Sequence, residues 1–491
     1  MAEAGAALRT ETFYYSHRKG GVNGWHYLPV DVEAFVRSHL PHANTSDYEF
    51  LSSHNYDVGA ATRKAYSLTD KVKITAIPKG SWFYNREPAF SVTGPSAIVS
   101  WLEPTMLRLH FRIQIATLFK AGKVQILAEK LRNATCQEEL DIALEVISSL
   151  SVEMGSAIRT VPQFKTSIES IKYQDAVRER VQRLVKLVEN PDRLFEVGMR
   201  GTSCTTQHEL ALMAVKEAGV MRTSNVALAK KLQMIPIGTM GHEHPQRFSF
   251  NDYEAFTAMR DRYPGFLFYL PDTSDTVRSG VPNALACMAE TPERDAGIRF
   301  DSETHVRSHY MFTVTVAREM GLNPRLALES GWNYELTEEF EKLRKMVNWD
   351  ADRQAYGYGG HFTNTPWDSF ARDDVAAVWK LCQTGSCATM KFGDEPNSGK
   401  QSIPGRPVIW RPKPSLIGSN TPVSYIAQDG EDWTPPIECT LLSHSDNSST
   451  LDPIHLGGKP PVMSPETRHL IRDCLVKRDE AIALTSLRGK H

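Results

Sequence analysis

Apolar residues follow different rhythms in different parts of the chain. Lys71 to Ile77 alternates as KVKITAI, which puts Val72, Ile74 and Ala76 on one face of a strand that Pro78-Lys79-Gly80 closes. A second apolar run, Ala89 to Val92, ends at the turn Gly94-Pro95. After Pro104 the spacing becomes helical, over Ile126 to Leu150 and again over Tyr173 to Val188, where Val177, Val181, Leu184 and Val188 mark one stripe. Asn190-Pro191 ends that helix, because the residue before a proline is driven out of the α region.

Beyond Pro191 short strand-like runs end in polar residues and give way to helical stretches. Met234 to Ile237 precedes Gly238-Thr239-Met240-Gly241-His242, Phe266 to Leu270 precedes Asp272, Ile298 to Phe300 precedes Asp301, and Leu326 to Leu328 precedes Ser330. A fifth turn falls at Tyr358-Gly359-Gly360. His242, Asp272, Asp301, Ser330 and Gly359 are separated by 30, 29, 29 and 29 residues, about one βα unit each. That register predicts successive strands of a parallel barrel, with the polar residues on the loops at the strands' carboxyl ends, where barrel enzymes hold their chemistry. Taken singly, each Asp or Gly could equally cap the helix that follows.

The stretch Ser398 to Ser464, rich in Pro, Gly, Ser and Asn, reads as loops and short strands wrapping over the body, and a final helical stripe runs from about Leu470 to Leu484. The expected organisation is an α/β chain with an N-terminal α/β domain over residues 1–125, an α/β barrel over 126–411 and a C-terminal wrapping segment over 412–491. A length of 491 residues accommodates large cores. The 56 Lys and Arg against 58 Asp and Glu exclude a globally basic nucleic-acid footprint. Seven cysteines between Cys136 and Cys474 do not resemble a disulfide framework and are expected to be reduced thiols in the cytoplasm. Neither a secretory leader nor a run of about 18 apolar residues is visible, so no membrane partner is expected.

Several constellations could carry chemistry. The loop Gly238 to His244 offers open amides to an anion and presents His242 as nucleophile or proton carrier, with Glu243 at hand to fix its tautomer. His242 and His244 would also point to one side of a strand as metal ligands, although no third or fourth ligand is evident. His305 and His309 have an i, i+4 spacing but lack the central Glu of a metalloprotease helix. Arg200-Gly201-Thr202-Ser203 before a helix suits an anionic or aromatic ligand, and a lone Arg there would otherwise be a surface ion pair. Arg299 and Asp301 share a strand face and could meet opposite ends of a polar substrate, or simply pair with each other. Arg372 and Lys380, expected to flank a helix after Gly359-Gly360, could neutralise phosphate, with Lys391, Lys400 and Arg406 nearby in sequence.

In order, FEVGMRGTS, MRTSNVALAKKLQMIPIGTMGHEHPQ, DTSDT, IRFDS, ESG, YGYGG and SIPGRPVIWR, with IPKGSWFYNREPAFSVTGPSAIVSWLE upstream, resemble the nicotinate phosphoribosyltransferase family and its nicotinamide relatives. The resemblance spans roughly Lys71 to Arg411. It implies an N-terminal α/β domain packed on the irregular α/β barrel of the type II phosphoribosyltransferases. It also implies transfer of phosphoribosyl from phosphoribosyl pyrophosphate to nicotinate, giving nicotinate mononucleotide for NAD salvage. Loosely bound Mg²⁺, ATP as co-substrate acting through a phosphohistidine, and a homodimer come with it. Carried over by motif, the catalytic group is His242 with Arg299 and Asp301. The substrate contacts are Arg200, Thr202, Ser224, Asn225, Thr239, Asp272, Ser330, Gly331, Gly359, Gly360, Arg372 and Lys380, and no resident metal ligand is implied.

Departures leave the acceptor ring open between acid, amide and another heteroaromatic. Arg200-Gly201 is nearer the nicotinamide relatives and Thr223-Ser224-Asn225 nearer the nicotinate enzymes. Val197 stands where an aromatic stacks in the former. Glu303-Thr304 replaces a Gly-Asp or Gly-Asn pair, and Tyr14-Tyr15 is a loose counterpart of a tyrosine motif contributed across the dimer. Two other readings compete: a metal-dependent barrel hydrolase using His242, His244 and Asp301, and a non-catalytic relative that binds a nucleotide.

Overall fold

The computed structural model describes residues 6–56, 58–153, 166–263, 265–302, 305–392, 401–416, 418, 420–445 and 459–488. Glu303-Thr304 and Lys400 lie outside the described residues. In chain order the strands that frame the site are β1 (Thr10–His17), β2 (Lys73–Ala76), β3 (Phe90–Pro95), β4 (Leu194–Glu196), β5 (Arg222–Thr223), β6 (Ile235–Pro236), β7 (Leu267–Tyr269), β8 (Ala296–Phe300), β9 (Arg325–Leu328), β10 (Gln354–Tyr358), β11 (Ala377–Thr384) and β12 (Cys387–Ala388).

β4 to β10 form one parallel sheet in the order β6-β5-β4-β10-β9-β8-β7. The repeat of about 29 residues is realised in the neighbours β7, β8, β9 and β10, each paired to the next. Its first member is not: β6 pairs with β5, so the sheet stays open between β6 and β7, the two strands consecutive in sequence. The order is that of a barrel cut at one seam. Strand interiors such as Ile298, Leu326, Leu328, Tyr356 and Tyr358 are buried, as expected for parallel strands covered on both faces.

Helices cover this sheet. The stripe in Ser170–Val188 is fully realised, with Tyr173, Val177, Val181, Leu184 and Val188 all buried in the barrel core. Glu189 ends the helix in the left-handed region at φ 63°. The expected helix from Ile126 to Leu150 is broken into Val124–Lys130 and Gln137–Glu153 by the short strand Asn133–Ala134.

The second sheet runs β12-β11-β1-β3-β2 and is antiparallel. β11 comes from the stretch assigned to the barrel, yet it is built into the N-terminal sheet beside β1 over Glu11 to His17. Lys380 therefore sits on a strand rather than at the end of a helix, because the helix at Arg372–Val375 is a single turn stopped by Ala376 at φ 46°. Tyr14 and Tyr15 of β1 are inside the chain: the Tyr14 hydroxyl accepts from Ile403 N at 3.0 Å and the Tyr15 hydroxyl bonds His17 Nε2 at 2.7 Å. Burial raises both phenols, Tyr14 to about 12.

Buried ion pairs tie the layers together. Arg247, beyond β6, donates twice to Glu11 of β1, at 2.7 and 2.8 Å. Arg411 makes the corresponding bidentate pair with Glu87 at 3.0 and 2.7 Å. Such pairs fix geometry, because removing one partner strands a charge in the interior. The C-terminal stretch, expected as loops and short strands before a final helix, carries such strands. Pro407–Pro412, Tyr425–Gln428, Cys439–Leu441 and Val462–Met463 make a four-stranded sheet, and the last helix spans Pro465–Arg488. Among the described residues no disulfide joins any of the seven cysteines. Among the described residues no helix is long and apolar enough to cross a membrane.

Candidate active site

A cavity of about 480 Å³ opens at the carboxyl ends of the parallel strands, roofed by β11 and the residue after β1. Of the site residues anticipated above, Arg200, Ser224, Thr239, His242, Arg299, Asp301, Ser330, Arg372 and Lys380 line it. Arg18, Glu103, Glu243, Glu329 and Lys391 complete its charged wall.

His242 stands at its centre. The ring lies just ahead of the helix Glu243–Arg247, and its Nε2 is 3.1 Å from Asp272 Oδ1 and 2.9 Å from Lys391 Nζ. Its Nδ1 is 4.0 Å from Asp301 Oδ2. Asp272 is not among the lining residues; it is buried and meets the imidazole. Burial pushes its carboxyl up, but His242, Lys391 and Arg299 outweigh burial and hold it well below the usual carboxylate range. Glu243, expected to orient His242, instead lines the cavity, and Lys380 is the strongest attraction opposing its burial and keeping it ionised.

Arg299 and Asp301 occupy one face at the end of β8, 3.7 Å apart, and Arg299 lies 3.7 Å from Glu329 at the end of β9. Arg299 also donates from Nη1 to the Thr239 hydroxyl, while its buried Nε has no partner. The Glu329 carboxyl is raised to about 7, chiefly by burial and, among its neighbours, by Asp301 against the pull of Arg299. Beside it Ser330 has φ 70° and Gly331 φ 66°. A serine held in the left-handed region is a strained position of the sort found beside ligands.

Arg200 leaves the turn after β4 and pairs with Glu103 at 3.3 Å. Burial opposes its charge, but Glu103, Asp301 and Glu329 keep the guanidinium protonated. Lys380 is lowered to about 8 by burial and then by Lys391. Arg18 and Arg372 are lowered by burial too, Arg372 further by Arg200. Six cations, Arg18, Arg200, Arg299, Arg372, Lys380 and Lys391, thus converge on one wall with four carboxylates, Glu103, Glu243, Asp301 and Glu329. The cations crowd one another, which is the arrangement a polyanion relieves.

Besides Asp272, five anticipated contacts lie outside the lining. Thr202 turns its hydroxyl to Met199 O at 3.0 Å. Asn225 caps the helix Val226–Leu232 and donates to His208 Nδ1 at 3.0 Å, and His208 in turn meets Glu196 at 3.0 Å. Thr223 donates to the same carboxylate at 2.6 Å, and Gly198 N also donates to it. This buried knot of Glu196, His208, Thr223 and Asn225 stiffens the turn that carries Arg200. Gly331 lies one residue past the lining, and Gly359 and Gly360 open a one-turn helix where a side chain on Gly360 would meet Asn364 at 2.8 Å. These glycines shape turns rather than wall the cavity.

The two-histidine metal arrangement does not form. His244 is one residue into a helix and bonds Ala255 O at 2.8 Å, and burial lowers it to about 4. His305 is a left-handed cap, with its ring centroid 6.1 Å from that of His309. Among the described residues no group of three or more His, Cys, Asp or Glu is placed to hold a metal ion.

In sequence the chain is similar to the nicotinate phosphoribosyltransferase of Bacillus subtilis, at 30% identity over 138 residues, 27% of each chain. It is also similar to that of Bos taurus, at 22% over 365 residues, 71% of this chain and 61% of the relative. The chain therefore spans less than two thirds of the length of the curated relatives it matches. No family model matches it. A crystal structure of nicotinate phosphoribosyltransferase from Porphyromonas gingivalis superposes with a TM-score of 0.54 at 16% identity, over 82% of this chain and 92% of that one. The chain has the nicotinate phosphoribosyltransferase fold. Within that fold the anticipated His242, Arg299 and Asp301 meet at one place, whereas Glu103, Glu329 and Arg18 were missed. Glu329 was within reach of sequence reasoning, since it precedes Ser330 in the 29-residue register. Arg18 and Glu103 carry no local signal, because only the packing of the N-terminal sheet over the barrel brings them in.

Proposed function

We propose that this chain transfers phosphoribosyl from phosphoribosyl pyrophosphate to nicotinate, releasing pyrophosphate and nicotinate mononucleotide. The observation that carries this reading is the convergence of six cations around His242 at the mouth of this fold. As the bond from ribose to pyrophosphate lengthens, negative charge gathers on the leaving group and positive charge on the sugar. Lys380, Lys391, Arg18 and Arg372 meet the first, and Asp301 meets the second. Arg200 holds the acceptor, sharing the lining with neutral Val197, Met199 and Ser224. Its charge favours a ring carboxylate over an amide.

His242 takes a phosphoryl group from ATP: a bond from a ring nitrogen to phosphorus forms, the bond to ADP breaks, and the phosphorylated ring is hydrolysed in each productive cycle. Magnesium suits the lining because Asp301 and Glu329 supply carboxylate oxygens and a phosphate chain supplies the rest. Once bound it neutralises charge on the diphosphate. We place the enzyme as a homodimer; within one chain Tyr14 and Tyr15 of β1 bond Ile403 N and His17.

The test is pyrophosphate release from phosphoribosyl pyrophosphate and Mg²⁺, with nicotinate or nicotinamide, with and without ATP. Release with nicotinate, faster with ATP, is expected. Preference for nicotinamide overturns the acceptor, and no release with either overturns the reaction.

A further inference from the structure

His242 Nε2 has two partners that cannot both be satisfied at once. Lys391 Nζ approaches to 2.9 Å and Asp272 Oδ1 to 3.1 Å. An ammonium only donates and an ionised carboxylate only accepts, so the first needs a lone pair on Nε2 and the second a proton there. In a neutral imidazole these are opposite tautomers. With Lys391 engaged, the proton sits on Nδ1, which lies 4.0 Å from Asp301 Oδ2. With Asp272 engaged, Nε2 is protonated and Nδ1 carries the free electron pair.

The surroundings let one partner leave and keep the other. Asp272 is buried and is not among the residues lining the cavity. Lys391 lines the cavity. Its main chain is held at both ends by Ser402, which accepts from Lys391 N at 2.8 Å and donates from its own N to Lys391 O at 3.1 Å. The freedom left to Lys391 lies in its long side chain, whose charge an anion in the cavity would attract.

We propose that Lys391 is a positioning residue that sets the His242 tautomer, holding Nε2 bare in the empty site and yielding it to Asp272 when an anion draws the ammonium away. The nucleophilic electron pair would then appear on Nδ1 only when the phosphate site is filled. This rests on reading the cavity as a diphosphate site.

The test is two-bond ¹H–¹⁵N spectroscopy at pH 8 on the full chain labelled with ¹⁵N-histidine, His242 being identified by the signals that His242→Gln removes. The wild type should show the Nδ1–H tautomer alone and shift to Nε2–H on saturation with inorganic pyrophosphate. Lys391→Met should show Nε2–H with and without pyrophosphate, and Lys391→Arg, which still donates, should restore Nδ1–H in the free protein. Nε2–H in the free wild type, or a free Lys391→Met protein indistinguishable from wild type, overturns the inference, as does a wild type that binds pyrophosphate calorimetrically without changing tautomer. Absence of pyrophosphate binding overturns the functional reading instead, and the comparison of the free proteins still judges Lys391.

Discussion

Asp272 Oδ1 stands 3.1 Å from His242 Nε2, although Asp272 is not among the residues lining the cavity the histidine serves. On the proposed reading the carboxylate fixes the ring and would stabilise positive charge there during phosphoryl transfer. Asp272→Asn keeps the shape but can present an amide N–H where an acceptor is needed. We expect ATP stimulation to fall roughly 100-fold, while His242→Ala removes it altogether. Pyrophosphate release with and without ATP reads both, and stimulation of Asp272→Asn at the wild-type level would contradict the role.

Lys380 titrates near 8, lowered by burial and by Lys391. Its cation is therefore present at neutral pH and lost as pH rises through 8, so diphosphate affinity should weaken between about pH 7 and 9. Lys380→Met should bind diphosphate about 10- to 100-fold more weakly at pH 7, the worth of one charged hydrogen bond, and lose that part of the pH dependence. Calorimetric titration with pyrophosphate across this range decides it; an unchanged slope in the variant would place the titration elsewhere.

The part of this site that was legible in the sequence is the part that recurs along the chain. Strand ends repeating about every 29 residues put Asp301 and Ser330 where the cavity is, because parallel strands share one carboxyl edge. Asn225, Gly359 and Gly360, named by motif likeness alone, sit at caps and turns outside the lining, since these residue types serve caps and turns as well as ligands. The sequence suggests a helix flanked by Arg372 and Lys380, and nothing local reveals that Ala376 ends it after one turn so that β11 can join β1. That pairing spans some 370 positions, and non-local contacts of this kind leave no periodic trace.

Arg193 and Glu341, both buried, pair beneath the barrel strands with Tyr356 and Arg344 around the same carboxylate. Arg193 also donates to Gln354 O at 2.8 Å and Val188 O at 3.0 Å. Glu341→Ala leaves a guanidinium in the core without its counter-charge, so a loss of about 3–5 kcal/mol is expected. Urea unfolding measures it. A loss below about 1 kcal/mol would show that water reaches the pair.

His17 and His26 form the centre of a buried relay in the N-terminal layer. Tyr15 bonds His17 Nε2 at 2.7 Å, the two Nδ1 atoms lie 3.1 Å apart, and His26 Nε2 meets Asn85 Oδ1 at 2.9 Å. One proton serves the bridge between the rings; a second would set N–H against N–H. Burial lowers both, and each also feels a neighbouring ring or hydrogen bond; His26 falls to about 4 and His17 lies well below its ordinary value. Because both folded values lie under the unfolded value of about 6.5, the unfolded chain takes up protons first. Stability should hold above about pH 6.5 and fall as pH drops toward 4, by about 3 kcal/mol for His26 alone. Thermal unfolding followed from pH 7.5 to 4.5 should show Tm falling over that window in the wild type and falling less in His26→Gln, which cannot gain the charge. Equal slopes in the two proteins would assign acid sensitivity to other groups.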